Sequence, residues 1–159
     1  MGVTETLIIG IGATVVIDLW ALVRRRAIGI PLPDYGLVGR WIAHMAHGRF
    51  RHESMTRVPP VRGERWIGWA AHYAIGVAFA AILLGVADPA WVQHPTLMPA
   101  LLVGIATVAA PFLLMQPGMG AGVAARRTPR PGVARLQSVI THAVFGAGLF
   151  LSARLVSAL

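Results

Sequence analysis

The sequence predicts an all-α membrane protein with four transmembrane helices and one interfacial amphipathic helix. Of its 159 residues, 56% are hydrophobic and only 13% are charged, and the mean hydropathy is +0.67. A soluble domain carries about 25% charged residues. The apolar residues also fall into four windows, each close to the ~20 residues that a helix needs to cross a bilayer. A soluble bundle with a very apolar core is the alternative, and windows of this length argue against it.

The four predicted spans lie at about residues 7–23, 66–87, 97–117 and 136–156, within a single polytopic domain of residues 1–159. The first window is short and ends at the arginines 24–26. The fourth contains Arg154, close enough to its end for the side chain to reach the interface. A signal peptide begins with basic residues, whereas this chain begins "MGVTETL" with Glu5 and no basic residue, so we expect a retained span and not a signal peptide.

Basic residues predict the orientation of the spans. The loop after the first span holds nine arginines and the loop after the third holds four, whereas the second loop and the N-terminus hold none. Basic loops stay in the cytoplasm, which predicts that both termini lie outside. The formal net charge of +8 therefore reflects membrane orientation and not a nucleic-acid surface, because the arginines stand between apolar runs.

The long first loop contains the predicted interfacial helix, at about residues 35–47. Asp34 is placed to cap its start and Gly48 to end it. One face of the helix is apolar and the other is basic, which is typical of a helix lying on a lipid surface. The two histidines of the basic face also have a spacing that can hold a metal, but no carboxylate or cysteine completes a ligand set. The predicted lipid-contacting residues are Arg40, Trp41, His44 and His47.

The second and fourth spans share a pattern in which a small residue, a histidine and a glycine follow one another at every fourth position. The pattern reads Gly68-His72-Gly76 in one span and Ser138-His142-Gly146 in the other. Small residues at this spacing let helices approach closely in lipid, so the histidines are predicted on packing faces. A weaker echo, "ATV" at 13–15 and 106–108, is consistent with a duplicated two-helix unit.

Several polar residues are predicted to share one layer, roughly 9–11 Å from the cytoplasmic boundary at 1.5 Å per helical residue. Asp18 is the most informative of them, because an aspartate inside a span costs at least ~2.5 kcal/mol and needs a partner. Histidines at the same depth are the predicted partners. The predicted cluster comprises Asp18, His72, His142, Gln116, Tyr73 and Thr141.

Three interpretations of this cluster stay open. It can be a structural clasp, or it can line a path for a proton or small solute, with Pro111 and Pro117 breaking the third span. It can also bind iron, either as haem b between His72 and His142 or in a two-histidine site completed by Asp18. Met115 and Met119 hint at copper(I), although such methionines more often pack. The sequence contains no catalytic motif, which favours a role other than that of an enzyme.

The longest motifs resemble a family of small bacterial inner-membrane proteins known only as a domain of unknown function (2938). They are "GATVVIDLWAL", "DYGLVGRWIAHMAHGRFRH", "GWAAHYAIGVAFA", "PALLVGIATVAAPFLLMQPGMGAG" and "THAVFGAGLFL". The resemblance covers nearly the whole chain and implies four helices in the bacterial inner membrane. It implies no activity, ligand or catalytic residue. At this length we expect a homo-oligomer or an association with a larger membrane partner.

Overall fold

Four long apolar helices dominate the fold, as the sequence predicts. The structure, a computed structural model, describes residues 2–158. The spans are α1 (Val3–Ile28), α3 (Glu64–Val86), the interrupted segment Leu97–Gly118 and α6 (Pro131–Val156), and each is long and apolar enough to cross a membrane. Only 17–33% of the most apolar window of each span is buried within the chain. These faces suit a lipid environment, because water would not tolerate so much exposed apolar surface.

Helix α1 is longer than the predicted window at both ends. At its start, the Gly2 amide donates a hydrogen bond of 2.9 Å to the Glu5 carboxylate. At its end, two arginines occupy the last turn, where cations interact favourably with the helix dipole. Gly29 then stops the helix in the left-handed region, at φ +68°.

The third span is not a continuous α-helix. Helix α4 covers Leu97–Ala106, a π-helix covers Pro111–Met115, and the short α5 follows at Gln116–Gly118. Pro111 has no N–H for the normal helical hydrogen bond, and the Gln116 amide bonds to the Pro111 carbonyl five residues back. The prediction that prolines break the backbone of this span is therefore confirmed.

Helix α2 (Tyr35–Met45) is the helix predicted in the first loop. The Asp34 side chain caps it by accepting a hydrogen bond of 2.9 Å from the Gly36 amide. The helix ends two residues before the predicted position, and a turn leads to Gly48, whose φ is +74°.

The described residues form two compact units, the first built from 2–32, 73–107 and 139–158. Helices in this unit touch through small residues. A Cβ added to Gly104 would overlap the backbone of Gly146, and one added to Gly76 would overlap the Thr14 hydroxyl. The small-residue pattern thus serves close packing inside this unit, as predicted for the second and fourth spans. Ile9, Leu83 and Leu149 are fully buried in its core.

The second unit comprises residues 33–72 and 108–138. Helix α2 lies against the start of α3, where a Cβ on Gly39 or Gly68 would overlap backbone atoms. Two backbone hydrogen bonds join the loop after α2 to the last residue of α5 and the residue that follows it. The His52 amide donates to the Gly118 carbonyl at 2.9 Å, and the Met55 amide donates to the Met119 carbonyl at 3.1 Å.

Candidate functional site

Asp18 lies in α1 and accepts a hydrogen bond from the hydroxyl of Tyr73, with an O–O distance of 2.9 Å. Helices α1 and α3 approach closely enough for the Tyr73 hydroxyl to reach the Asp18 carboxylate. One turn before Asp18, the buried Thr14 hydroxyl donates to the Gly10 carbonyl at 2.8 Å and faces Gly76. Without a side chain at Gly76 the two helices come together, and Tyr73 spans the remaining distance to the carboxylate.

His72 has its contacts in the second unit. Its Nε2 lies 3.0 Å from the Tyr35 hydroxyl, and the two rings stack with centroids 4.1 Å apart. The Trp69 ring lies edge-on, with its centroid 5.8 Å from that of the imidazole. Gly39 and Gly68 let α2 approach α3 closely enough for the tyrosine at the start of α2 to reach this histidine.

His142 is held by Thr107, and the hydrogen bonds determine which ring nitrogen carries the proton. The Thr107 hydroxyl donates its proton to the Gly104 carbonyl at 2.6 Å, and His142 Nδ1 lies 2.9 Å from the same hydroxyl oxygen and 3.3 Å from that carbonyl. A carbonyl only accepts, and the hydroxyl proton is already used, so Nδ1 must be the protonated nitrogen. The Nε2 atom of neutral His142 then carries a lone pair. The Phe79 ring lies beside the imidazole, at a centroid distance of 6.5 Å.

The six residues of the predicted cluster differ in what they contact. Asp18 and Tyr73 meet directly, whereas the hydrogen-bond partners found for the histidines are Tyr35 and Thr107, which the sequence interpretation missed. The pairing of Asp18 with a histidine stays a prediction. Thr141 is half-buried on α6, and the buried Oε1 atom of Gln116 has no hydrogen-bond partner within the described part of the chain.

Arg40 was expected on the basic, lipid-facing side of α2, but the structure buries it. It is 8% exposed, and its guanidinium forms two hydrogen bonds of 2.8 Å with the Glu64 carboxylate. It also donates to the carbonyls of Met55 (3.3 Å) and Val58 (2.6 Å). The hydrogen bond to Glu64 raises the pKa of Arg40 above its usual value. Arg40 therefore fixes the loop after α2, because its guanidinium bonds to two carbonyls within that loop and to Glu64 at the start of α3.

Trp41 was also expected at the lipid surface, and it too is buried, at 8% exposure. Its indole N–H donates to the Phe50 carbonyl at 2.8 Å, and its ring lies directly over Gly118, where a Cβ would sit 2.7 Å away. The tryptophan is thus a packing residue of the second unit.

His44 lies on α2 and is half-buried, whereas His47 lies in the turn after the helix and is exposed. The ring of His44 meets that of His52 edge-on at 5.1 Å, and both ring nitrogens of His52 are buried without a hydrogen-bond partner among residues 2–158. Partial burial, and then the positive charges of neighbouring histidines and arginines, lower the pKa of His44. In the same range, no three histidine, aspartate or glutamate side chains group as a metal site needs.

A cleft of about 570 Å³ opens in the second unit, and we call it the methionine cleft. Its lining includes Met55, Met115, Met119, Gln116, Glu53 and Arg127. The π-helix forms part of its wall, and such helices occur frequently at functional sites. The nearby backbone is strained, since Ala124 and Ala125 both have positive φ, of 47° and 57°. Arg135 bonds to the Ala124 carbonyl at 2.8 Å and so holds this strained turn.

Comparison with known proteins gives one family. The model of a family described as "Protein of unknown function (DUF2938)" matches residues 7–156, which is most of the chain. The chain belongs to this family. DUF2938 membership confirms the resemblance seen in the sequence. No curated protein and no solved structure matches the chain.

Proposed function

We propose that this DUF2938 protein binds and releases a proton at Asp18, on a path for a proton or small solute through the membrane. The observation that carries the proposal is the hydrogen bond from Tyr73 to the Asp18 carboxylate within two apolar helices. An ionisable residue inside a span is costly, and such residues frequently mark ion or proton pathways.

A tyrosine is a suitable partner for a carboxylate that changes its protonation state. The phenol donates a hydrogen bond to ionised Asp18, and its oxygen can accept one when Asp18 is protonated. The Asp18–Tyr73 pair can therefore keep a hydrogen bond in both protonation states of the carboxylate.

The proposed setting is the bacterial inner membrane, with both termini outside and the arginine-rich loops in the cytoplasm. Four spans leave little room for a path inside one copy, so we place the protein in a homo-oligomer or beside a larger membrane partner. Size-exclusion chromatography with light scattering would give the oligomeric state of the purified protein.

Proton flux into liposomes tests the proposal. The protein is reconstituted with an enclosed pH-sensitive dye, and a potassium gradient with valinomycin sets the membrane potential. We expect flux in the wild type, loss of flux in Asp18→Asn with folding intact, and reduced flux in Tyr73→Phe. Asp88→Asn is the matched control, because Asp88 is exposed in the loop between α3 and α4. Equal flux in wild type and Asp18→Asn would leave the pair as a structural clasp.

A second candidate function, haem or metal binding, is favoured by the geometry of His142. Metal-ligating histidines typically donate the other ring N–H to a carbonyl or a similar acceptor, as Nδ1 of His142 does. His72 is less suited, since its Nε2 lies within hydrogen-bond distance of Tyr35. Elemental analysis and optical spectra of the wild type beside His142→Ala and His72→Ala test this candidate. Iron near one per chain that is lost in His142→Ala would favour it, and its absence would count against it.

A further inference from the structure

Three methionines from distant parts of the sequence converge at the methionine cleft. Met55 begins a short 3₁₀-helix, Met115 ends the π-helix, and Met119 follows α5. Backbone hydrogen bonds connect them: the Met119 amide donates to the Met115 carbonyl at 2.9 Å, and the Met55 amide donates to the Met119 carbonyl at 3.1 Å. Half of the six methionines in the chain therefore line one cleft.

Packing alone does not account for this arrangement. A methionine that fills a gap closes it, because its flexible side chain adapts to irregular space. Met55 is 2% exposed and Met115 and Met119 are partly buried, yet the cleft that all three line stays open. The strained turn at Ala124 and Ala125 is a second sign that this region is maintained for a purpose other than packing.

We infer that the methionine cleft binds a soft monovalent metal ion, with copper(I) as the chemical class. Thioether sulfur is a soft, neutral ligand that selects copper(I) over zinc, magnesium or calcium. The charge of the lining agrees with a monovalent ion, since the carboxylate of Glu53 is balanced by the guanidinium of Arg127. The chain contains no cysteine, so sulfur ligands can come only from methionine. This inference is independent of the proton-binding proposal at Asp18.

Competition with a chromogenic copper(I) chelator under anaerobic conditions tests the inference on the full-length protein in detergent. The variants are Met55→Leu, Met115→Leu and Met119→Leu, singly and together. Leucine nearly conserves the volume of methionine, so folding is expected to survive, and thermal melting checks this. Met98→Leu is the matched control, because Met98 is 63% exposed on α4. Silver(I) serves as a probe that needs no reductant.

We expect one copper(I) per chain in the wild type and in Met98→Leu, and none in the triple variant. Each single variant should weaken binding at least about tenfold, since even the loss of an outer-shell partner weakens metal affinity about 10–100-fold. Binding should be similar at pH 7.5 and pH 5, because thioethers do not take up protons in this range, whereas imidazoles do.

Three outcomes would overturn the inference. They are no copper(I) binding above protein-free detergent, full binding in a folded triple variant, and loss of wild-type binding at pH 5. Full binding in the triple variant would exclude the methionines as ligands, and loss of binding at pH 5 would assign the metal to histidines instead. None of these results depends on flux through Asp18, so the two proposals succeed or fail separately.

Discussion

Replacing Glu64 with glutamine should strongly destabilise the second unit. The Glu64 carboxylate accepts two hydrogen bonds of 2.8 Å from Arg40 and a third of 2.8 Å from the Val61 amide. The side chains of Arg40 and Glu64 are 10% and 16% exposed. Glutamine would leave the guanidinium without a counter-charge in a site that water hardly reaches.

The expected loss follows from this geometry. Breaking a buried ion pair from one side costs about 3–5 kcal/mol, and we take about 3 kcal/mol because both groups keep some exposure. Two charge-assisted hydrogen bonds at about 1.5–3 kcal/mol each give the same order. At about 2–4 °C per kcal/mol for a chain of this size, the melting temperature should fall by about 6–12 °C.

Intrinsic tryptophan fluorescence during heating measures this change, since Trp41 packs in the same unit. The matched variant Arg40→Lys should also melt earlier, because an ammonium cannot reproduce the two parallel bonds of a guanidinium. The double variant Arg40→Met with Glu64→Met should lose less than either charge removed alone. A melting temperature within 1–2 °C of the wild type for Glu64→Gln, on the scale of about 2–4 °C per kcal/mol, would refute the reasoning.

Three further predictions concern packing, backbone strain and pH. Gly104→Ala should destabilise the first unit by about 1–3 kcal/mol, because the new methyl group would overlap Gly146, whereas Gly85→Ala, with open space around it, should be neutral or slightly stabilising. Thermal melting of both variants in the same detergent checks the difference. Ala124→Gly should raise stability by about 1 kcal/mol, because φ at this residue is 47° and the left-handed region is strained for any residue that has a Cβ. A lower melting temperature of this variant would contradict the prediction. The pKa of His44 is below its ordinary value of 6.5, so the unfolded chain binds the proton more tightly and stability should fall as the pH drops below about 6.5. His44→Gln should reduce that pH dependence. An unchanged slope of melting temperature against pH would show that His44 is not the group responsible.

The spans could be predicted from the sequence because each depends on local quantities. Helix length, hydropathy and the position of prolines are properties of a continuous stretch, so the four spans and the break near Pro111 are confirmed. The N-cap of α2 follows the same logic, since Asp34 bonds to an amide two residues away, whereas the helix ends at Met45, before the predicted stop at Gly48.

The position of Arg40 could not be predicted in this way. Helical periodicity places it on the same face as His44, and by that criterion it belongs to the basic surface. Its burial depends on Glu64, 24 residues later, and on two carbonyls in the intervening loop. No local pattern records that the connecting loop folds back over the helix.

The hydrogen-bond partner of His142 could have been predicted from the sequence, whereas that of His72 could not. The repeated "ATV" contains Thr14 in the first span and Thr107 in the third. The repeat therefore indicates Thr107, the partner of His142, as a residue on a packing face. Tyr35 stands at the start of α2, and its contact with His72 results from the close approach of the two helices at Gly39 and Gly68. The glycines were visible in the sequence, but the pairing of helices that they permit was not.

Backbone hydrogen bonds join the loop after α2 to the end of α5 and the residue that follows it. These bonds have a consequence for biosynthesis. Met55 and His52 bond to Met119 and Gly118, which leave the ribosome about 60 residues later, or about 3–12 s at ordinary elongation rates. Until the third span has been inserted, the loop cannot acquire its final structure, and Met55 lacks the backbone partner it has in the finished protein. A nascent chain arrested before the third span should therefore leave this loop open to an added protease, and a chain arrested after Gly118 and Met119 have emerged from the ribosome should protect it.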